Sequence, residues 1–173
     1  MSELTAEQQA LLAKPANAAY VIQSMRAEAL AQCAAAPLFF LQFVRTRDEA
    51  DPKETVKAFP IHKEYIRRLF SLFQTEQRIV IAKSRQLLVS WAVCCWMVYR
   101  ARFTPHCAIY YQTKKEDDAD GMVALANASA DGGVWGRCEF VERMLPSWLQ
   151  QEIKPAKGKI AYPNGSLIQA VPE

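Results

Sequence analysis

A short apolar segment runs into a long apolar helix-forming segment, with a polar cluster between the two. The apolar segment covers 79–82, the cluster is Lys83-Ser84-Arg85-Gln86, and the helical pattern covers roughly 87–101. Charged side chains between two buried elements cost free energy unless an anionic group meets them. In open α/β sheets, anions bind where a strand ends and a helix begins, because free N–H groups and the helix dipole favour negative charge there. The sequence therefore predicts a buried strand over 79–82 and a phosphate-binding turn after it.

Three side chains of this turn suit a phosphate and its metal ion. Lys83 and Arg85 supply two cations, and the hydroxyl of Ser90, early in the helix, can hold a metal ion. The glycine-rich loop G-x-x-x-x-G-K-[ST] is absent, since Leu88 and Val89 precede Ser90 and the loop contains no glycine. The alternative is that Lys83 and Arg85 are solvated loop charges. Spacing alone leaves both interpretations open.

The other patterns predict an α/β chain with an N-terminal helical segment. Apolar periodicity and proline positions predict helices over 5–13, 16–35 and 61–73, with a helix or turn over 37–44 and an exposed loop over 46–57. A second buried strand is expected over 107–113, a helix over 114–129, a turn over 131–136, and a hairpin over 158–172 around Asn164-Gly165. Strand and helix alternate, which predicts a parallel sheet with flanking helices.

Composition narrows the class of protein. A chain of 173 residues with a net charge of +3 is long enough for one domain and only mildly basic, so charge alone would not hold it on DNA. The five cysteines show no Cys-x-x-Cys spacing and lie mostly in apolar surroundings, which predicts reduced core residues of a cytosolic protein. The longest apolar run, 87–99, is too short to span a bilayer. We therefore expect a soluble protein without membrane association.

Five stretches, in order, resemble segments of one family. VIAKSRQLLVSWAV (80–93) resembles the deviant Walker A segment of the large terminase subunit, the ATPase that packages DNA into capsids of bacteriophages and related viruses. APLFFLQFVRTRDEAD resembles the family's upstream aromatic helix and acidic loop, and FPIHKEYIRRLF its helix before the first strand. YYQTKKEDDADGMV resembles the second strand and helix, and YPNGSLIQAVP the Asn-Gly-Ser hairpin. The resemblance covers about residues 36–172.

The resemblance implies a P-loop NTPase-like fold that binds ATP with Mg²⁺. It implies that Lys83 and Arg85 neutralise the β- and γ-phosphates, that Ser84 and Gln86 shape the loop, and that Ser90 coordinates magnesium. It also implies that His62 lies near the adenine, although a histidine at a helix start is more often a surface or capping residue. Many family members carry glycine where Leu88 stands.

The family couples ATP hydrolysis to translocation of double-stranded DNA into a procapsid. Its large subunits work in the host cytoplasm as a homo-oligomeric ring, together with a small terminase subunit and the portal protein. For this chain the resemblance implies an N-terminal helical region with an acidic loop over 1–57, followed by the N-terminal portion of the ATPase domain over 58–173.

The family's Walker B strand, ending in Asp-Glu, and its nuclease domain follow the hairpin, and neither is in this sequence. No catalytic residue is identified, so we expect little hydrolysis by this chain alone, and whether it is itself an enzyme stays open. The alternative function is a non-catalytic nucleic-acid-binding or adaptor module on a βαβ scaffold, because a fold does not fix a function.

Two charged clusters have two interpretations each. The acidic run at the start of the 114–129 helix could hold a metal ion, but a solvated helix N-terminus explains it better, since acidic side chains there complement the dipole. Lys63, Arg67 and Arg68 could touch DNA or form an exposed helix face.

Overall fold

The fold is mixed α/β, with helices packed around one four-stranded sheet. The structure is a computed structural model that describes residues 15–47, 55–83, 87–125 and 135–172. The helices are α1 (Pro15–Ala35), α2 (Pro37–Phe40), α3 (Glu64–Thr75), α4 (Val89–Phe103), α5 (Glu116–Val123) and α6 (Arg137–Arg143), and a 3₁₀ turn covers Leu41–Phe43. The strands are β1 (Arg45–Arg47), β2 (Val56–Ala58), β3 (Ala108–Thr113), β4 (Lys154–Ala156), β5 (Lys159–Ala161) and β6 (Leu167–Pro172).

The sheet has the strand order β3-β6-β5-β4 and is mixed. β3 and β6 pair in parallel, from Ala108 opposite Leu167 to Thr113 opposite Pro172. β5 pairs with β6, and β4 with β5, in antiparallel register. The predicted hairpin around Asn164-Gly165 is confirmed, because β5 and β6 are its two arms. Among the described strands, only β3 and β6 have the parallel pairing that the sequence predicted for the sheet.

The helices expected over 16–35, 61–73 and 87–101 are confirmed as α1, α3 and α4, with ends shifted by a few residues. The helix or turn at 37–44 is α2 followed by the 3₁₀ turn. The helix predicted over 5–13, the middle of the loop at 48–54, and 126–134 lie outside the described residues. The helix predicted over 114–129 ends at Val123 within the described residues, and α6 and β4 were not predicted.

Two sequence predictions are wrong. The loop expected over 46–57 is flanked by strand, since β1 and β2 pair in antiparallel register from Arg45 opposite Ala58 to Arg47 opposite Val56. The buried strand expected over 79–82 is not formed; its backbone is irregular, and Val80 is 99% exposed. No described strand forms backbone hydrogen bonds of a sheet with this segment, and of its apolar side chains Ile79 is half-buried whereas Val80 and Ile81 are exposed.

Helix α4 is the centre of the core. Its side chains are buried on almost every face, which explains the continuous apolar run in its sequence. The buried residues include Trp91, Ala92, Cys94, Cys95 and Val98. The ring of Phe40 packs against both Tyr99 and Phe103, with centroids 5.8 Å away in each case. Residues on both sides of the predicted boundary at 57 thus share one core.

The turn between β5 and β6 docks onto the carboxyl end of α4. The side-chain amide of Asn164 donates to the carbonyls of Ala101 (2.8 Å) and Arg102 (3.0 Å). The hydroxyl of Ser166 donates to the carbonyl of Thr104 (2.7 Å) and accepts from the N–H of Cys107 (3.0 Å). The last carbonyls of a helix have no partner inside it, so Asn164 serves as their cap although it lies 62 and 63 residues further along the chain.

Candidate functional site

The predicted phosphate loop leads into the amino end of α4. Lys83 is exposed at the end of the irregular segment, and Ser90 is half-buried in the first turn of α4. Ser84, Arg85 and Gln86 lie outside the described residues, so their predicted roles rest on the sequence. Within the described residues, the structure thus gives Ser90 the expected position in the first turn of the helix that follows the loop.

Leu88 has a left-handed backbone immediately before this helix. Its φ and ψ are 53° and 12°, a conformation that costs an L-residue with a side chain about 1–2 kcal/mol and that glycine adopts freely. The residue type gives no sign of this, because leucine is an ordinary helix former; the one sign is the resemblance, since many family members have glycine at this position. The backbone at Leu88 therefore has the geometry that a glycine would normally provide.

The amino end of α4 carries no side-chain cap from any described residue. The first N–H groups of a helix have no partner within it, and the helix dipole places partial positive charge there. The first bond back to the preceding residue is from the N–H of Ala92 to the carbonyl of Leu88, at 2.9 Å. An anion could therefore accept from the uncapped N–H groups, and the hydroxyl of Ser90 lies in the same turn.

His62 lies in the turn before α3 and is exposed. No hydrogen bond or ion pair joins it to another residue in the described ranges. The backbone at the start of α3 is likewise uncapped by a described side chain. The position of His62 near an adenine stays a prediction.

The basic cluster at the start of α3 is exposed. It consists of Lys63, Arg67 and Arg68, and Arg67 donates through Nε to the carbonyl of Ile61 at 3.1 Å.

The acidic run at the start of α5 divides into two groups. Asp117 and Asp118 are exposed, as expected for a solvated helix start. Asp120 instead is buried and pairs with Lys157 at 3.3 Å, and Lys157 also contacts Glu116 at 3.2 Å. The sequence did not predict this cluster because Lys157 lies in the β4–β5 turn, far along the chain. No group of three or more metal-ligating side chains suited to an ion occurs in the described part of the chain.

A buried charged network lies beneath the hairpin. Arg102, on α4, donates to a carboxylate oxygen of Glu142 on α6 and to the carbonyl of Leu149. Burial raises the pKa of Glu142, against the opposing effect of Arg102. Burial, followed by the nearby charge of Glu142, also raises the pKa of Tyr162 well above its ordinary value. In the sequence, Arg102 ends an apolar helix like many solvated arginines, so nothing there marks it as buried.

The described helices include none with the length and apolar character needed to cross a membrane. No family model matches this chain, and no curated protein matches it either.

Proposed function

We propose that this chain is the ATP-binding part of a viral DNA-packaging motor of the large terminase subunit type, which couples ATP hydrolysis to DNA movement into a procapsid. The observation that carries the proposal is the left-handed backbone of Leu88 at the foot of α4. Many members of the family have glycine at this position. A leucine held in the conformation of that glycine is an energetic cost, and a loop that must curl around phosphates accounts for it.

The described residues fit a nucleoside triphosphate with Mg²⁺. The amino end of α4, which no described side chain caps, offers N–H donors and positive potential, and the hydroxyl of Ser90 lies in the first turn, where it would coordinate the metal ion. Lys83 ends the exposed segment that enters the loop. Arg85 would add a second cation, by resemblance to the family. Positioning and charge neutralisation are most of what phosphoryl transfer requires from a protein.

The test is calorimetric titration of ATP with Mg²⁺ into the wild-type chain, Arg85→Ala, Lys83→Ala and the control Arg100→Ala. Arg100 is exposed at the other end of α4, so the control removes a cation while leaving the loop unchanged. Loss of one charge-assisted hydrogen bond, about 1.5–3 kcal/mol, should weaken binding roughly 10- to 100-fold in the two loop variants. Equal affinities in all four proteins, or no binding by the wild type, would overturn the proposal.

A second candidate function, a non-catalytic nucleic-acid-binding module, is favoured by one observation. The segment 79–82 forms no sheet ladder within the described structure, and a P-loop strand normally lies inside a sheet. The exposed cations Lys63, Arg67 and Arg68 would then contact the nucleic-acid backbone. Under this alternative, duplex DNA binds with a steep salt dependence that falls when these three are replaced by glutamine, and ATP does not bind.

A further inference from the structure

A cavity of about 430 Å³ lies at the carboxyl end of β3, and Trp91 in the first turn of α4 is among its lining residues. Thr113 at the end of the strand, the first turns of α5 and the start of α6 line it. The volume is within the range of small-molecule sites, and in α/β proteins ligands collect beyond the carboxyl ends of parallel strands. The cavity is therefore large enough for one planar ring system.

Two guanidinium groups are held at this cavity by aromatic rings. Arg47 lies over the ring of Phe140, 4.8 Å from its centroid, and Arg137 lies over the ring of Trp91, 5.4 Å from its centroid. Both arginines line the cavity, and neither forms an ion pair with a described carboxylate. Contacts with rings fix the guanidiniums without using all of their N–H donors. Apart from a donation from Arg137 to the sulfur of Met122 at 2.9 Å, neither guanidinium donates to a described residue, so donors remain for a ligand.

Two carboxylates, Asp117 and Asp118, line the same cavity. Neither makes a hydrogen bond or ion pair with a described residue, although two arginines share the cavity. The described lining residues thus offer both donors and acceptors, and the charges of the two arginines and two aspartates among them sum to zero. The arginines would attract a phosphate or another multiply charged anion, but the aspartates would repel it. A neutral ligand with both donors and acceptors can instead form hydrogen bonds with the arginines and with the aspartates.

Aromatic side chains form part of the remaining wall, beside Met122 and Leu125. Tyr111 and Trp135 are half-buried and line the cavity. The hydroxyl of Tyr111 is a donor at neutral pH, and burial raises its pKa further above the ordinary value of 10.0. Aromatic walls favour a planar ring over an aliphatic ligand, because a flat ring can stack on them.

We infer that this cavity binds an unpaired guanine base. Guanine presents two acceptors on one edge, which an arginine contacts in bidentate fashion. On another edge it presents two N–H donors, which match one carboxylate. Adenine presents one donor beside one acceptor on each of these edges, and cytosine lacks two adjacent N–H donors, so both leave arginines or aspartates without matching partners. The guanine could belong to a free nucleoside or to a single strand of nucleic acid.

The first experiment needs no variant and uses no phosphate. Equilibrium dialysis of the chain against guanosine, inosine, 7-deazaguanosine and adenosine should give the tightest binding for guanosine. Inosine lacks the amino group that a carboxylate accepts from, and 7-deazaguanosine lacks the acceptor that pairs with an arginine. Each is expected to bind about tenfold more weakly or worse. Equal binding of guanosine and adenosine, or no binding of guanosine at millimolar concentration, would overturn the inference.

Variants then locate the site. Arg137→Gln and Asp118→Asn should each weaken guanosine binding about tenfold or more. Arg100→Gln is the matched control, because its guanidinium also lies over a ring, 5.9 Å from the centroid of Trp96, but outside this cavity. A control that weakens binding as much as Arg137→Gln would contradict the assignment.

Two further measurements separate the source of the base and the two sites. Short single strands of deoxyguanosine that bind more tightly than guanosine would identify nucleic acid as the source, and equal affinity would identify the free nucleoside. Lys83→Ala should leave guanosine binding unchanged. The ATP proposal and the guanine proposal can therefore fail separately, and loss of guanosine binding in Lys83→Ala would contradict a separate site.

Discussion

Gly165 lies directly against the imidazole of His106. A Cβ atom at Gly165 would stand 2.5 Å from Nδ1 and 2.9 Å from Cε1 of that ring. Both residues also have positive φ, 81° for Gly165 and 54° for His106. The turn between β5 and β6 therefore fits the turn before β3 only while position 165 carries no side chain.

We predict that Gly165→Ala lowers the free energy of unfolding by at least about 2 kcal/mol, since the left-handed backbone and the contact with His106 both penalise a methyl group. Urea denaturation followed by circular dichroism measures this. Gly121→Ala is the control: a Cβ there meets nothing within 4 Å, and alanine in a helix should add about 0.5–1 kcal/mol. Equal effects of the two substitutions would contradict the proposed steric cause.

A second prediction concerns the strained backbone at Leu88. Replacing Leu88 with glycine removes a half-buried side chain but relieves the left-handed strain, worth about 1–2 kcal/mol. Leu87, 38% exposed, has no positive φ. Glycine at this position therefore relieves no strain and only increases the backbone conformational entropy that folding must remove. We expect Leu88→Gly to destabilise the protein less than Leu87→Gly does, although Leu88 is the more buried residue. The reverse order in urea denaturation would show that Leu88 is not strained.

A third prediction tests the cap that Asn164 provides. Asn164→Ala leaves the carbonyls of Ala101 and Arg102 without their donor, and the free energy of unfolding should fall by about 1–3 kcal/mol. Gln150→Ala is the matched control. Its side-chain amide also donates to two carbonyls at a helix end, those of Arg143 and Leu145, but it is exposed. A loss in the control as large as that in Asn164→Ala would show that the half-buried position of the cap is irrelevant.

A fourth prediction concerns pH. Burial holds the pKa of Glu142 above its ordinary value of 4.5, so the folded state binds this proton more tightly than the unfolded state does. The stability that the group contributes is present below the unfolded pKa and is lost as pH rises through the folded pKa. We expect Glu142→Gln to become progressively more stable relative to the wild type as pH increases from 4.5. A stability difference that is independent of pH between 4 and 8 would contradict the raised pKa.

A fifth prediction concerns thiol reactivity. Cys107 is half-buried, whereas Cys33, Cys94, Cys95 and Cys138 are buried. Burial, opposed by the charge of Arg102, raises the pKa of Cys33 to about 11. Because the thiolate is the reactive form, a thiol-specific chromogenic reagent should label one cysteine per folded chain and all five in urea. Cys107→Ser should abolish the rapid labelling. Rapid labelling of two or more thiols in the folded protein would contradict the burial.

Local patterns predicted the elements that depend on local chemistry. The apolar run at α4, the periodicity of α3, and the Asn164-Gly165 turn each have a signal within a few residues, and all three elements are present. The strand at 79–82 failed because a strand needs a neighbour, and apolar residues alone do not provide one. Leu88 and Arg102 could not be predicted, since a left-handed leucine and a buried arginine depend on contacts with distant parts of the chain.

Helix α4 links the strained residue Leu88 at its amino end to the β5–β6 turn at its carboxyl end. Fifteen residues make a helix of about 22 Å, with the strained Leu88 at one end and the amide of Asn164 bound to the carbonyls at the other. A ligand that binds at the first turn and displaces it would shift all of α4, since a helix packed on nearly every face moves as a rigid body. The hairpin turn is attached to its far end. The backbone of the hairpin turn would therefore move when a ligand binds at the first turn of α4, and the hydrogen-exchange rates of the turn's amides would change.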